Sequence, residues 1–112
     1  MTDLAEKITL GNQLTLPNRI VMAPMTTWSS NNDYTISEQE LRYYEKRNHD
    51  AGLIITGCTH VSPNGIGFTH EFGDYDDRFL PNLTKLASTI KQRGAKAILQ
   101  VNHAGKRTCS QW

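Results

Sequence analysis

The sequence predicts a parallel α/β fold, and three observations predict it. Compact apolar runs rich in β-branched residues occur three times, at Arg19 to Met25, Leu53 to Thr56 and Ala97 to Val101. Amphipathic stretches of helical period separate them, and Gly, Pro or Asn marks each junction. Strands that alternate with helices of this length imply parallel β-α-β units with right-handed crossovers.

Each element follows from local pattern. Ile8-Thr9-Leu10 and Leu14-Thr15-Leu16 alternate around Gly11-Asn12, a short hairpin signal, because Gly and Asn tolerate the positive φ of a tight turn. Pro17-Asn18 breaks the pattern, and Arg19 to Met25 follows as a buried strand ended by Pro24-Met25. Thr26 to Ile36 is polar and predicts a loop. Ser37-Glu38-Gln39-Glu40 is a capping box, opening a helix whose apolar face carries Leu41, Tyr44 and Ala51 and which Gly52 closes. The second strand, Leu53 to Thr56, leads into a long loop from Gly57 to Phe79. A second helix spans Pro81 to Arg93, with Leu83, Leu86, Ala87 and Ile90 on one face and Gly94 after its end. Ala97 to Val101 is the third strand.

Composition excludes several classes of function. Twelve Lys and Arg against eleven Asp and Glu leave a net charge of +1, which provides no basic footprint for nucleic acid or an anionic membrane. No apolar run approaches the ~18 residues of a membrane span, and the first ten residues lack the apolar centre of a signal peptide. Cys58 and Cys109 match no metal or redox spacing, so a reduced cytoplasmic protein is expected. His49, His60 and His70 show no ligand spacing either; a solvated or capping role is expected of them, and no metal.

In parallel α/β folds chemistry gathers at the carboxyl ends of the strands. Here those ends are Ala23 to Trp28, Thr56 to His60 and Gln100 to Lys106. They are rich in hydrogen-bonding, small and aromatic groups, as a flat heteroaromatic ligand requires. Gln100 stands out, since a glutamine on an apolar strand must find partners, and its amide both donates and accepts. Cys58 has no base at a suggestive spacing and is not expected to be a nucleophile. The first strand-to-helix loop lacks a Gly-x-Gly-x-x-Gly turn, which favours a closed barrel over an open doubly wound sheet without deciding between them.

Three segments resemble one family in order and spacing. Leu16-Pro17-Asn18-Arg19-Ile20-Val21-Met22-Ala23-Pro24-Met25 resembles the opening strand of Old Yellow Enzyme-type flavin reductases, and Gln100-Val101-Asn102-His103-Ala104-Gly105-Lys106 resembles their third-strand signature. Ala51 to Thr56 occupies the place of the second strand, so the likeness covers nearly the whole chain. The fold this implies is the N-terminal part of a TIM (β/α)8 barrel, with a leading β-hairpin and about three barrel strands. A complete barrel takes about 250 residues, so residues 1–112 are expected to form an incomplete part of one FMN-binding domain.

The resemblance further implies FMN as cofactor and NAD(P)H as reductant, with hydride passed to an electron-poor alkene such as an enone or enoate. Pro24, Met25 and Thr26 would wrap the flavin, Thr26 lying near its reactive edge, where a hydroxyl tunes reduction potential. Cys58 occupies a position whose backbone amide faces the flavin, and Gln100 would meet the pyrimidine edge. Trp28 would line the substrate side, where many members carry tyrosine. His103 would hold its loop; Lys106 and Arg107 receive no role. The family's substrate-polarising His pair, proton donor and phosphate-binding loop have no counterpart before Trp112, so no catalytic residue is expected in the chain. On this reading the chain alone lacks reductase activity.

Two alternatives differ in class. A tRNA-dihydrouridine synthase shares the opening strand, but Thr26-Thr27-Trp28-Ser29-Ser30 and His103-Ala104-Gly105-Lys106 do not fit it. A non-catalytic truncated fragment would expose a sheet edge and oligomerise through it.

Overall fold

The computed structural model describes residues 3–11 and 13–108. Asn12 of the expected hairpin turn and Cys109 lie outside them. Strands β1 (Ile8–Leu10) and β2 (Leu14–Leu16) form the antiparallel hairpin, pairing Ile8 with Leu16 and Leu10 with Leu14. Then follow β3 (Val21–Met22), α1 (Glu38–Glu45), β4 (Leu53–His60), β5 (Phe72–Gly73), α2 (Leu80–Lys91) and β6 (Lys96–Asn102). β4 is central: β3, β5 and β6 all pair with it in parallel.

The helices cover one face of this sheet. Leu41 and Tyr44 of α1 and Leu86 and Ile90 of α2 bury against Ile54, with Met22, Ala97 and Leu99 packed alongside. Side chains alternate along strands, so Val21 and Ile98 point the other way and are left 48% and 41% exposed. Leu53, on that same face, is only 5% exposed, so the face is open at Val21 and Ile98 and covered beside them.

Several boundaries differ from expectation. The first strand pairs only over Val21–Met22 rather than from Arg19 to Met25, because it is an edge strand and Pro24 has no amide to offer. Its start is set by Asn18, which accepts the Ile20 amide at 2.9 Å and donates to the Asp50 carbonyl at 3.0 Å.

The capping box forms as expected, Ser37 accepting the Glu40 amide and Glu40 the Ser37 amide. The helix ends at Glu45, not beside Ala51. Asn48, His49 and Asp50 are weak helix formers, and the chain tightens into turns in which Arg47 donates to Tyr44 and Asn48 to Glu45. The second strand continues to His60, so Gly57 to His60 belongs to the sheet and not to a loop. β5 lies inside the same expected loop. Gly94 follows α2 with φ +100°, a conformation that side-chain-bearing residues rarely adopt.

Candidate functional site

The carboxyl ends of β3, β4 and β6 converge, and an irregularity in β4 shapes the result. Ile55 pairs with Ile98, but Cys58, three residues on, pairs with Gln100, only two residues on. One extra residue is therefore accommodated around Thr56-Gly57, a β-bulge. The Thr56 hydroxyl fills the interrupted ladder, accepting the Gln100 amide at 3.2 Å. The Gly57 amide is diverted to the Tyr44 hydroxyl at 3.0 Å. Desolvation pushes that phenol up to about 12.

The bulge places Cys58 beside Gln100, its Sγ 3.7 Å from the amide Oε1. A thiol is a weak donor, so this contact turns the oxygen towards Cys58 and leaves Nε2 directed elsewhere. Nε2 finds no partner among the described residues. Gly57 meets the first strand end so closely that an added Cβ would lie 2.5 Å from the Met25 carbonyl oxygen. Backbone at Met25-Thr26 is thus in direct contact with the bulge. Met25 is 47% exposed, Pro24 and Thr26 half-buried, and the Thr26 hydroxyl bonds to no other described residue.

Pro24, Met25, Thr26, Cys58 and Gln100 therefore lie along one rim. The exposed Met25, flanked by an unused amide and an unused hydroxyl, suits a flat heterocycle with polar edges. A flavin isoalloxazine has that shape and chemistry.

Trp28 stands just beyond this rim, half exposed and with φ +56°, uncommon for a bulky residue. Buried Glu40 fixes the loop on both sides of it, accepting the Thr27 hydroxyl at 2.5 Å and the Ser30 hydroxyl at 2.7 Å. The Phe68 ring meets the Trp28 indole edge to face, with centroids 5.1 Å apart. These loop contacts involve residues that period and motif did not single out; only Glu40 had a sequence signal, as the capping-box partner.

The histidines separate. His60 is fully buried between Tyr34 and Tyr75, contrary to the solvated or capping role expected of it, because β4 runs on and carries it into the interior. Burial raises the Asp74 carboxyl near it, against the pull of His60. His49 is exposed, and His70 joins its Nδ1 to the Ser30 carbonyl at 2.9 Å. His103 accepts the Gly105 amide at 3.0 Å, as a loop-holding residue should. Lys106 and Arg107 are exposed on a 3-10 turn, Gly105–Arg107. Among the described residues, no three His, Cys, Asp or Glu side chains gather as metal ligands, and no helix is long and apolar enough to cross a membrane.

A parallel sheet layered with helices, carrying unused polar groups at the strand carboxyl ends, has the layout of the opening part of a parallel α/β ligand-binding domain. Residues 3–111 match the sequence profile of the NADH:flavin oxidoreductase / NADH oxidase family, and the chain belongs to that family. It is 44% identical to a probable NADH-dependent flavin oxidoreductase of Bacillus subtilis over 91% of the chain but 27% of that protein. With the NADH:acrylate oxidoreductase of Vibrio harveyi it shares 41% identity over 95% of the chain and 11% of that protein. Among solved structures, the old yellow enzyme from Trypanosoma cruzi superposes with TM-score 0.84 at 37% identity, covering 96% of the chain and 29% of the enzyme. Morphinone reductase in complex with tetrahydroNAD gives 0.86 at 30%, covering 96% and 29%. The chain thus spans about a quarter or less of the curated relatives named here, and its fold is that of the opening part of a TIM-barrel flavoenzyme.

Proposed function

We propose that the protein to which these residues belong is an FMN-dependent NAD(P)H oxidoreductase that reduces electron-poor alkenes of the enone or enoate type. The observation that carries this reading is the rim itself: Met25-Thr26 backbone against Gly57, with Gln100 Nε2 and the Thr26 hydroxyl left without partners among the described residues beside it. Family membership and the acrylate-reducing relative supply the chemistry. FMN, when bound, supplies hydride transfer; the chain's contribution is to hold and tune it. Pro24 and Met25 give shape, the Cys58 segment a backbone amide, Gln100 a side-chain amide for the pyrimidine edge, and Thr26 a hydroxyl near the reactive edge. Trp28 lines the substrate side.

We assign the protein to the cytoplasm, where NAD(P)H is available. Its partner is a small-molecule substrate, and the near-neutral charge gives no support for nucleic acid or membrane. The 112 residues alone provide no substrate-polarising pair and no phosphate loop, so they hold FMN weakly and do not turn over. Their partly open sheet face and the free edges of β3 and β6 favour self-association.

The test is anaerobic NAD(P)H oxidation with 2-cyclohexen-1-one and with acrylate, by flavoprotein expressed from the uninterrupted reading frame and by residues 1–112 alone. Flavin-dependent alkene reduction by the first and none by the second is expected. A flavoprotein that oxidises NAD(P)H yet leaves both alkenes intact refutes the substrate class, and the absence of bound flavin refutes the cofactor. Normal turnover by residues 1–112 refutes the incomplete-site reading.

A further inference from the structure

Between β4 and β5 lies a buried carboxylate that the flavin rim does not use. Glu71 is 1% exposed, and its Oε2 accepts two successive backbone amides, from Gly67 at 3.1 Å and from Phe68 at 3.2 Å. Its Oε1 lies 3.5 Å from Asn102 Nδ2 and 3.7 Å from His60 Nδ1. One side chain therefore ties the 67–68 turn to the ends of β4 and β6, the strands that carry Cys58 and Gln100.

The turn so held presents Phe68, whose ring packs edge to face on Trp28. The two loops are stitched again one step away, where the Ser30 amide donates to the His70 carbonyl at 3.0 Å and His70 Nδ1 meets the Ser30 carbonyl. Trp28 is thus braced from its own loop by Glu40 and from the opposite loop by Phe68.

We propose that Glu71 is a positioning residue for substrate recognition: it fixes Phe68 against Trp28, and the aromatic pair forms a wall favouring alkenes with a flat apolar flank over small charged ones. This rests on the reading that Trp28 faces the substrate. A ring presented edge-on by a second ring offers apolar area without a compensating charge, and among the described residues no cation contacts either ring. A cyclic enone gains from that wall; acrylate, with a carboxylate and no flank, does not.

The experiment uses F68L, E71A, E71D and E71Q, each with and without W28F, so that the contribution of Trp28 is read as the difference. The near-ultraviolet circular dichroism band at 290–300 nm reads the setting of Trp28 without turnover. F68L and E71A should lose about half of that band or more. E71Q should keep most of it, since one amide oxygen can still accept both backbone N–H groups. In the flavin-loaded enzyme, F68L should raise KM for 2-cyclohexen-1-one about 3- to 10-fold, with kcat and the KM for acrylate within about 2-fold. An unchanged Trp28 band in F68L, or KM values for the two alkenes that move together, overturns the proposal. If E71A does not fold, E71D decides it: its shorter carboxylate cannot reach both backbone amides and should lose part of the Trp28 band, and an unchanged band in E71D overturns the proposal. If the flavoprotein reduces neither alkene, it is the alkene-reductase reading that has failed, and the Trp28 band in F68L, E71A and E71D still rules on the positioning role.

Discussion

The hydroxyl of Tyr44, on the first helix, accepts the backbone amide of Gly57 at 3.0 Å, inside the bulge of the central strand. A residue in the helical layer thus takes part in the hydrogen bonding of the strand end at the proposed flavin rim. Tyr44→Phe keeps the ring and removes the acceptor. It should cost about 1–3 kcal/mol, the penalty of an orphaned buried N–H, read as a lower midpoint in urea.

The same phenol predicts an alkaline limit. Burial raises Tyr44 from its ordinary value of 10.0 to about 12. Unfolded chains lose the phenolic proton near pH 10 while the folded state keeps it. The stability contribution is full below pH 10 and is lost as pH rises towards 12, by about 2–3 kcal/mol. Denaturation midpoints across pH 9 to 12 check this; in Tyr44→Phe the decline over that window should be shallower by about that amount.

Gly57 admits no side chain. An alanine Cβ would sit 2.5 Å from the Met25 carbonyl oxygen and 3.3 Å from its carbon, and backbone cannot swing aside as a flexible side chain can. Gly57→Ala should destabilise by about 1–3 kcal/mol and displace Met25-Thr26 from the rim. Flavin affinity should fall with it, whereas an alanine at Gly11, where an added Cβ meets nothing within 4 Å, should leave flavin affinity unchanged.

Gln100→Leu removes the unused amide while keeping a similar volume on β6. Flavin binding, followed by quenching of flavin fluorescence, should weaken about 10-fold, the worth of one or two neutral hydrogen bonds. Thermal stability should hardly change, because among the described residues the side-chain amide's one partner is the weak thiol contact at Cys58. Equal flavin affinity in the variant would remove Gln100 from the site.

Glu40 offers a graded pair. Glu40→Ala deletes the capping box and leaves the Thr27 and Ser30 hydroxyls without their shared acceptor, a cost of about 2–4 kcal/mol. Glu40→Gln retains an acceptor oxygen, and hydroxyl hydrogens can rotate to suit the new amide, so about 1 kcal/mol is expected. Midpoints ordered wild type, Gln, Ala would agree; indistinguishable Gln and Ala variants would not.

Much of this was legible in the chain, for identifiable reasons. The capping box at Ser37 and Glu40, the run Leu53 to Thr56 and the face at Leu86 and Ile90 are local patterns, and each formed where its pattern lay. That Met25, Thr26, Cys58 and Gln100 lie near one another was legible because all sit at strand carboxyl ends of one parallel sheet. What escaped depends on contacts distant in sequence. His60 looked like a surface histidine, since nothing near it shows that Tyr34 and Tyr75 enclose it. Glu71 and Phe68 sat in a stretch of turn formers, and their meeting with Asn102 and Trp28 spans 31 residues in one case and 40 in the other. The end of α1 at Glu45 was missed because Leu41, Tyr44 and Ala51 keep helical spacing after the backbone has stopped being helical.

The bulge in the central strand has a consequence for how its sequence can vary. Were Thr56 and Gly57 to run in regular alternation, Cys58 would fall on the side of Ile54 and Thr56, facing the helices. With the bulge, the strand changes phase midway: its first half is written in one frame to satisfy the helical layer, its second half in the other to serve the rim. Deleting Gly57 would therefore remove the bulge and leave Cys58 opposite Gln100 on its present side, whereas inserting one more residue there would act like a frameshift in space, handing each residue of the strand's second half to the wrong side of the sheet.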